Sequence, residues 1–199
     1  MDNPLNALAD ADITPLARTR AEVRSSRPIV AIVGSSGSGK TTLIESLLPR
    51  LAASGLRVAV VKHAHRGLEL DKPGKDTHRA ASAGAVQVVV GSADQWAVMG
   101  RIEHPRSEPS LEWLLTRLDV ESVDLVIAEG FHFERCRKIE VYRPAHGRPP
   151  LCVSDPDLLA IATDAVFDGP GIIDLNDVHA IVDLILTRIL HRTALAAAI

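Results

Sequence analysis

Gly34-Ser35-Ser36-Gly37-Ser38-Gly39-Lys40-Thr41 is the stretch on which the reading of this chain turns. It follows the apolar run Ile29-Val30-Ala31-Ile32-Val33 and opens into Thr42-Leu43-Ile44-Glu45-Ser46-Leu47-Leu48. G-x-x-x-x-G-K-T between a strand and a helix is the setting of a phosphate-binding loop. Consecutive backbone N–H groups of Gly34, Ser35, Gly37, Ser38 and Gly39 form a concavity for oxyanions, and the helix N-terminus adds positive potential. Lys40 reaches the β- and γ-phosphates as a point charge, the Thr41 hydroxyl ligates Mg²⁺, and Thr42 follows at the helix start. Gly34, Gly37 and Gly39 let the backbone take positive φ and approach the phosphates without a Cβ. A flexible Gly/Ser turn explains the glycines but not Lys-Thr at this spacing. The expected ligand is a nucleoside triphosphate with Mg²⁺.

The 199 residues suit one α/β domain with a core of its own. A formal charge of −3 with 46% hydrophobic residues describes a soluble chain and gives nucleic acid no bulk charge to bind. No apolar run approaches the ~20 residues of a membrane span, and no secretory signal opens the chain. Cys136 and Cys152 are too few for a disulfide framework, which fits reduced thiols in the cytoplasm. His63, His65 and His78 lack the paired cysteines and fourth ligand of a zinc site, so unligated histidines are expected.

From Pro28 onward apolar runs alternate with helical patterns, the signature of βα units around a mostly parallel sheet. Residues 1–27 read as a flexible N-terminal extension, with Arg18, Arg20, Arg24 and Arg27 on a solvated or docking arm and a short helix near Leu16–Val23. Residues 28–190 form the nucleotide-binding domain and 191–199 a tail. Pro49 interrupts the first helical pattern, which kinks or restarts there. Arg57–His63 reads as a strand buried on both faces, and Asp76 as the N-cap of a helix closed by Gly84. Val86–Val90 and Trp96–Gly100, five residues apart, form an antiparallel hairpin. Pro109–Leu118 reads as a helix, Asp124–Gly130 as a buried strand, and the alternating Lys138–Arg143 as an exposed one. Two late strands and a helix capped by Asn176 or Asp177 complete a P-loop NTPase fold: a mostly parallel sheet flanked by helices, plus the hairpin.

Ligands of open α/β sheets gather at the carboxyl ends of the strands. Glu129 ends Leu125-Val126-Ile127-Ala128, where a phosphate-loop protein places the acid that holds Mg²⁺ or orients water. Asp is usual there, so Glu is a departure. Lys62 and His63 leave their strand facing the same end. Asp164 either reads the N1–H and 2-amino group of guanine or initiates a turn; the usual Asn/Thr-Lys-x-Asp string is absent.

Four features make residues 28–190 resemble the molybdopterin-guanine dinucleotide biosynthesis adaptor family, MobB. They are Gly34–Thr42 with Leu43-Ile44-Glu45; Val61-Lys62-His63; Gly74-Lys75-Asp76-Thr77 with Arg79 and Ala83-Gly84-Ala85; and Asp124–Phe131 with Lys138-Ile139-Glu140-Val141. The resemblance implies a homodimeric GTP-binding adaptor beside the molybdopterin guanylyltransferase, with molybdopterin as a second candidate ligand and at most a weak GTPase activity. It makes Gly37, Gly39, Lys40, Thr41 and Thr42 nucleotide ligands, Asp76 and Glu129 acids near Mg²⁺ and the γ-phosphate, and Lys62 and His63 contacts at the phosphate end. Family members often carry Asn or Lys in the loop where this chain has Ser35-Ser36-Gly37-Ser38. A small-molecule kinase and a nickel-type metallochaperone GTPase share the loop and are the competing readings.

Overall fold

Short β-branched runs such as Ile29–Val33, apolar on successive residues, place side chains on both faces of a strand and need cover on each. That requirement organises the computed structural model, which describes residues 22–64, 71–102, 108–166 and 171–192. Most of the N-terminal arm with its expected helix, His65 and residues 193–199 lie outside the described residues.

Strand β1 (Ile29–Val33) leads into helix α1 (Lys40–Ala53) and strand β2 (Val58–Lys62). Helix α2 (Asp76–Ser82) and strands β3 (Gln87–Gly91) and β4 (Trp96–Gly100) follow, then the short helix α3 (Leu111–Leu115) and strand β5 (Leu125–Glu129). The chain ends with β6 (Lys138–Tyr142), β7 (Leu158–Thr163), β8 (Ile172–Asp174) and helix α4 (Val178–Arg188). Six strands form one parallel sheet in the order β2-β5-β1-β6-β7-β8. β3 and β4 pair antiparallel as a separate ribbon, Val89 opposite Val98 and Gly91 opposite Trp96.

Alternation along the central strands separates two cores. Val30, Ile32, Leu125, Ile127, Ile139 and Val141 face α1 and α4, meeting Leu43, Leu47, Leu51, Ile181 and Ile185. Ala31, Val33, Val126 and Ala128 face the other way, toward Leu111, Leu115, Phe131 and Cys152. α1 runs through Pro49 without a break, and the proline lies on the exposed side of the helix, where a missing backbone donor costs least. Asp177 caps α4 by accepting from Ala180 N at 3.0 Å.

Four expectations need correction. β2 is an edge strand with Val60 42% exposed, because only β5 flanks it. Asp76 is the first residue of α2 rather than its cap, and Lys75 holds the cap position without a side-chain bond. The helix read over Pro109–Leu118 is only Leu111–Leu115, closed at its start by Ser110 Oγ accepting from Trp113 N. Most consequentially, β6 is a central buried strand between β1 and β7, not an exposed one.

The β6 correction has a chemical cause. With Ile139 and Val141 against the helices, Lys138 and Glu140 point to the sheet face that α3 leaves uncovered. Loops cover that part of the face, and loops bring unpaired backbone groups. Lys138, fully buried, donates from Nζ to His132 O (3.3 Å), Glu134 O (2.8 Å) and Asp155 Oδ2 (2.8 Å). Glu140 accepts from Leu151 N (2.5 Å) and Cys152 N (2.8 Å). The polar alternation therefore marks side chains that pin loops. Among the described residues no helix is long and apolar enough to cross a membrane.

Candidate functional site

The carboxyl ends of β1, β2 and β5 converge on an open cleft of ≈ 860 Å³. Gly34, Ser35, Gly37, Gly39, Lys40, Thr41, Thr42, Lys62, His63 and Glu129 all line it, so ten residues singled out from the sequence meet at one place. The loop between β1 and α1 is shaped by its glycines. Gly34 has φ +138°, and a Cβ there would stand 2.3 Å from Val141 O of β6. Gly39, at φ 101°, is the left-handed N-cap of α1, where any other residue would be strained.

Lys40 Nζ folds back onto the loop, donating to Gly34 O at 3.0 Å and Ser35 O at 2.8 Å. Burial holds its pKa below the ordinary lysine value; Glu129 opposes that shift and Lys62 adds to it. The ammonium thus closes the cradle that a phosphate oxygen would fill. Thr41 Oγ1 donates to Glu129 Oε1 at 2.8 Å, and Lys62 Nζ lies 3.1 Å from that carboxylate oxygen. Glu129 is 8% exposed, at the end of β5 and opposite Lys62 in the ladder. A hydroxyl beside a carboxylate is the hard-oxygen donor set that suits Mg²⁺.

His63 is held on three sides. Its backbone N–H donates to Glu129 O at 3.1 Å, its Nε2 pairs with Glu108 Oε2 at 2.9 Å, and its ring packs 5.3 Å from Phe131. Ser38 sits elsewhere: it is buried in the loop, its Oγ without a hydrogen-bond partner, and its carbonyl accepts from Arg143 Nε at 3.0 Å. Asp164 follows β7 and ion-pairs with Arg143 Nη1, outside the residues that line the cleft. Asp76 is also outside the cleft, its side chain fully exposed and 3.6 Å from Arg79. Among the described residues no group of three His, Cys, Asp or Glu side chains converges as a metal site.

His132, Arg148 and Leu151 complete the cleft, and Arg143 braces the loop from behind. Sequence reasoning passed over all four. The loop after Glu129-Gly130 and the exit of β6 are strand ends too, which is the signal that points to His132 and Arg143.

Comparison with known proteins places the family of the chain that carries this cleft. The family described as "Molybdopterin guanine dinucleotide synthesis protein B", MobB, matches residues 29–164. The molybdopterin-guanine dinucleotide biosynthesis adapter protein of Escherichia coli K12 is 38% identical over 80% of this chain and 91% of its own. Its Haemophilus influenzae counterpart is 38% identical over 82% of this chain and 90% of its own. A crystal structure of molybdopterin-guanine biosynthesis protein B superposes with TM-score 0.63 at 32% identity, covering 81% of this chain and 99% of that one. The matched span holds every residue that lines the cleft. The chain belongs to the MobB family of molybdopterin guanine dinucleotide synthesis proteins.

Proposed function

We propose that this chain is a GTP-binding adapter in molybdopterin guanine dinucleotide biosynthesis, assisting the guanylyltransferase that converts molybdopterin to its guanine dinucleotide. The observation that carries the reading is the Thr41–Glu129 contact beside the folded-back Lys40, at the mouth of a helix-capped glycine loop. Loop N–H groups and the α1 N-terminus receive the phosphates. Lys40 leaves Gly34 O and Ser35 O to meet them, and Thr41 and Glu129 hold Mg²⁺. An ion held by Thr41 and Glu129 would supply neutralisation of phosphate charge. Glu129 and His63 both line the cleft, where a water held beside the phosphates would serve a weak GTPase.

Guanine selectivity falls to Asp164, whose carboxylate pairs with the N1–H and 2-amino group once Arg143 yields it. The names of the relatives favour an adapter role in this biosynthesis; the guanylyltransferase as partner and molybdopterin as a second ligand are what the family resemblance implies. The β3–β4 ribbon supports a homodimer: Val89, Trp96 and Val98 share one face and are 70%, 68% and 50% exposed. The site of action is the cytoplasm.

Calorimetry with GTP and ATP in Mg²⁺ tests the nucleotide, with Lys40→Ala as control. The expected outcome is GTP binding about tenfold or more tighter than ATP, and loss of binding in Lys40→Ala. Equal affinities overturn the guanine assignment, and phosphate transfer to a small acceptor favours a kinase instead. Co-purification with the guanylyltransferase in the presence of GTP, lost in Lys40→Ala, tests the partner.

A further inference from the structure

A cation already lies against the two oxygens proposed to hold Mg²⁺. Lys62 and Glu129 are register partners across the β2–β5 ladder, so their side chains leave the sheet on the same side at its carboxyl edge. There Lys62 Nζ sits 3.1 Å from Glu129 Oε1 and 3.5 Å from Thr41 Oγ1. Those are the two oxygens assigned to the divalent ion, and Thr41 donates to the same Oε1. The Glu129 side chain is 10% exposed whereas that of Lys62 is 55% exposed. The carboxylate is therefore fixed, and the ammonium on its flexible stem is free to leave.

Resting on the nucleotide reading above, we propose that Lys62 is a resident counter-ion: it holds the Thr41–Glu129 pair in the nucleotide-free state and yields to the divalent ion by swinging onto the phosphates. A divalent ion held by Thr41 and Glu129 would need the oxygen lone pairs that now face the Lys62 ammonium, 3.1 Å from Glu129 Oε1 and 3.5 Å from Thr41 Oγ1. Two cations sharing the same pair of oxygens repel, and Lys62, on its flexible stem, is the one able to move. Lys62 lines the same cleft as Lys40 and the loop, so its new position lies along the phosphate chain. Without Mg²⁺ it serves as a partial substitute, neutralising phosphate charge that Lys40 alone leaves uncovered. Lys62 is thus a positioning and charge-balancing residue.

The test is equilibrium binding of a fluorescent guanine nucleotide to the full chain, first in EDTA and then titrated with Mg²⁺. Wild type, Lys62→Met and Lys62→Arg are compared, with thermal melts to confirm folding. In Lys62→Met, affinity in EDTA falls about tenfold and the Mg²⁺ midpoint at fixed nucleotide also falls about tenfold, since Mg²⁺ no longer competes. Lys62→Arg keeps the EDTA affinity close to wild type. An unchanged Mg²⁺ midpoint and EDTA affinity in Lys62→Met overturn the counter-ion role while leaving nucleotide binding intact. A wild-type chain that binds no guanine nucleotide in Mg²⁺ overturns the nucleotide reading itself, and the counter-ion proposal with it.

Discussion

Thr41 Oγ1 donates to Glu129 Oε1 at 2.8 Å, tying the first turn of α1 to the last residue of β5. These residues are far apart in sequence and meet because β1 and β5 run parallel in register, Ile32 beside Glu129. The bond aligns the hydroxyl and carboxylate that the proposed Mg²⁺ site needs. Hydrogen bonds to charged groups contribute about 1.5–3 kcal/mol, roughly 10- to 100-fold in affinity. Glu129→Ala should weaken Mg²⁺-dependent nucleotide binding by that range, whereas Thr41→Ser should keep most of it. Calorimetry at saturating Mg²⁺ measures both, and wild-type affinity in Glu129→Ala would remove Glu129 from the site.

Gly34 carries a different kind of constraint. Its φ of +138° and the 2.3 Å approach of Val141 O leave no space for a Cβ. Gly34→Ala should destabilise the fold by about 2 kcal/mol or more. Gly91→Ala meets nothing within 4 Å and serves as the mild comparison. Denaturant melts of the two variants should differ clearly; equal midpoints would show that the β1–α1 loop can relax away from β6.

Lys138 is a buried cation with three acceptors. Lys138→Met leaves Asp155, whose side chain is 5% exposed, without its cation, at a cost of about 3–5 kcal/mol. Replacing Asp155 by Leu in the same chain should recover part of that loss, since the buried charge goes with it. Chemical denaturation of the single and double variants checks the coupling, and strict additivity would count against a paired role.

The apolar face of the β3–β4 ribbon should govern self-association. Trp96→Ser with Val98→Thr should shift sedimentation from dimer toward monomer. The melt of the sheet domain should stay within about 0.5 kcal/mol of wild type, because these side chains are exposed and face away from the core. A dimer of unchanged affinity would place the interface elsewhere.

Burial pushes the Cys136 thiol up to about 11. The folded chain therefore keeps this proton where an unfolded thiol, with a pKa of about 8.5, has lost it. Stability contributed by the neutral thiol is complete below about pH 8.5 and is lost as pH rises toward 11. Cys136→Ala should flatten the fall in melting temperature across that window. In the wild type, thiol reagents at pH 8 should modify Cys136 slowly until the chain unfolds.

Much of this was readable from one sequence because the signals are local. The glycine loop, its flanking strand and helix, the hairpin and the acid ending β5 each rest on neighbours within a few residues, and the order of apolar runs dictates a parallel sheet. Lys138-Ile139-Glu140 misled for the opposite reason. Alternating polar and apolar residues read as an exposed strand, and only the packed structure shows that loops 131–137 and 151–157 supply the partners that make burial of both charges possible. Val58–Lys62 misled in reverse, since apolar content cannot reveal that a strand has a neighbour on one side alone.

The sequence by itself determined the strand, glycine loop and helix that carry Lys40 and Thr41, on which the proposed phosphate site rests, because that pattern is a property of eight consecutive residues. Tertiary structure decided which distant groups complete the site. Parallel pairing of β2, β5 and β1 brings Lys62, Glu129 and Thr41 within 3.5 Å of one another, and the pairing of β6 with β7 brings Arg143 to Asp164. Such meetings depend on sheet order and register, which arise from packing over the whole domain.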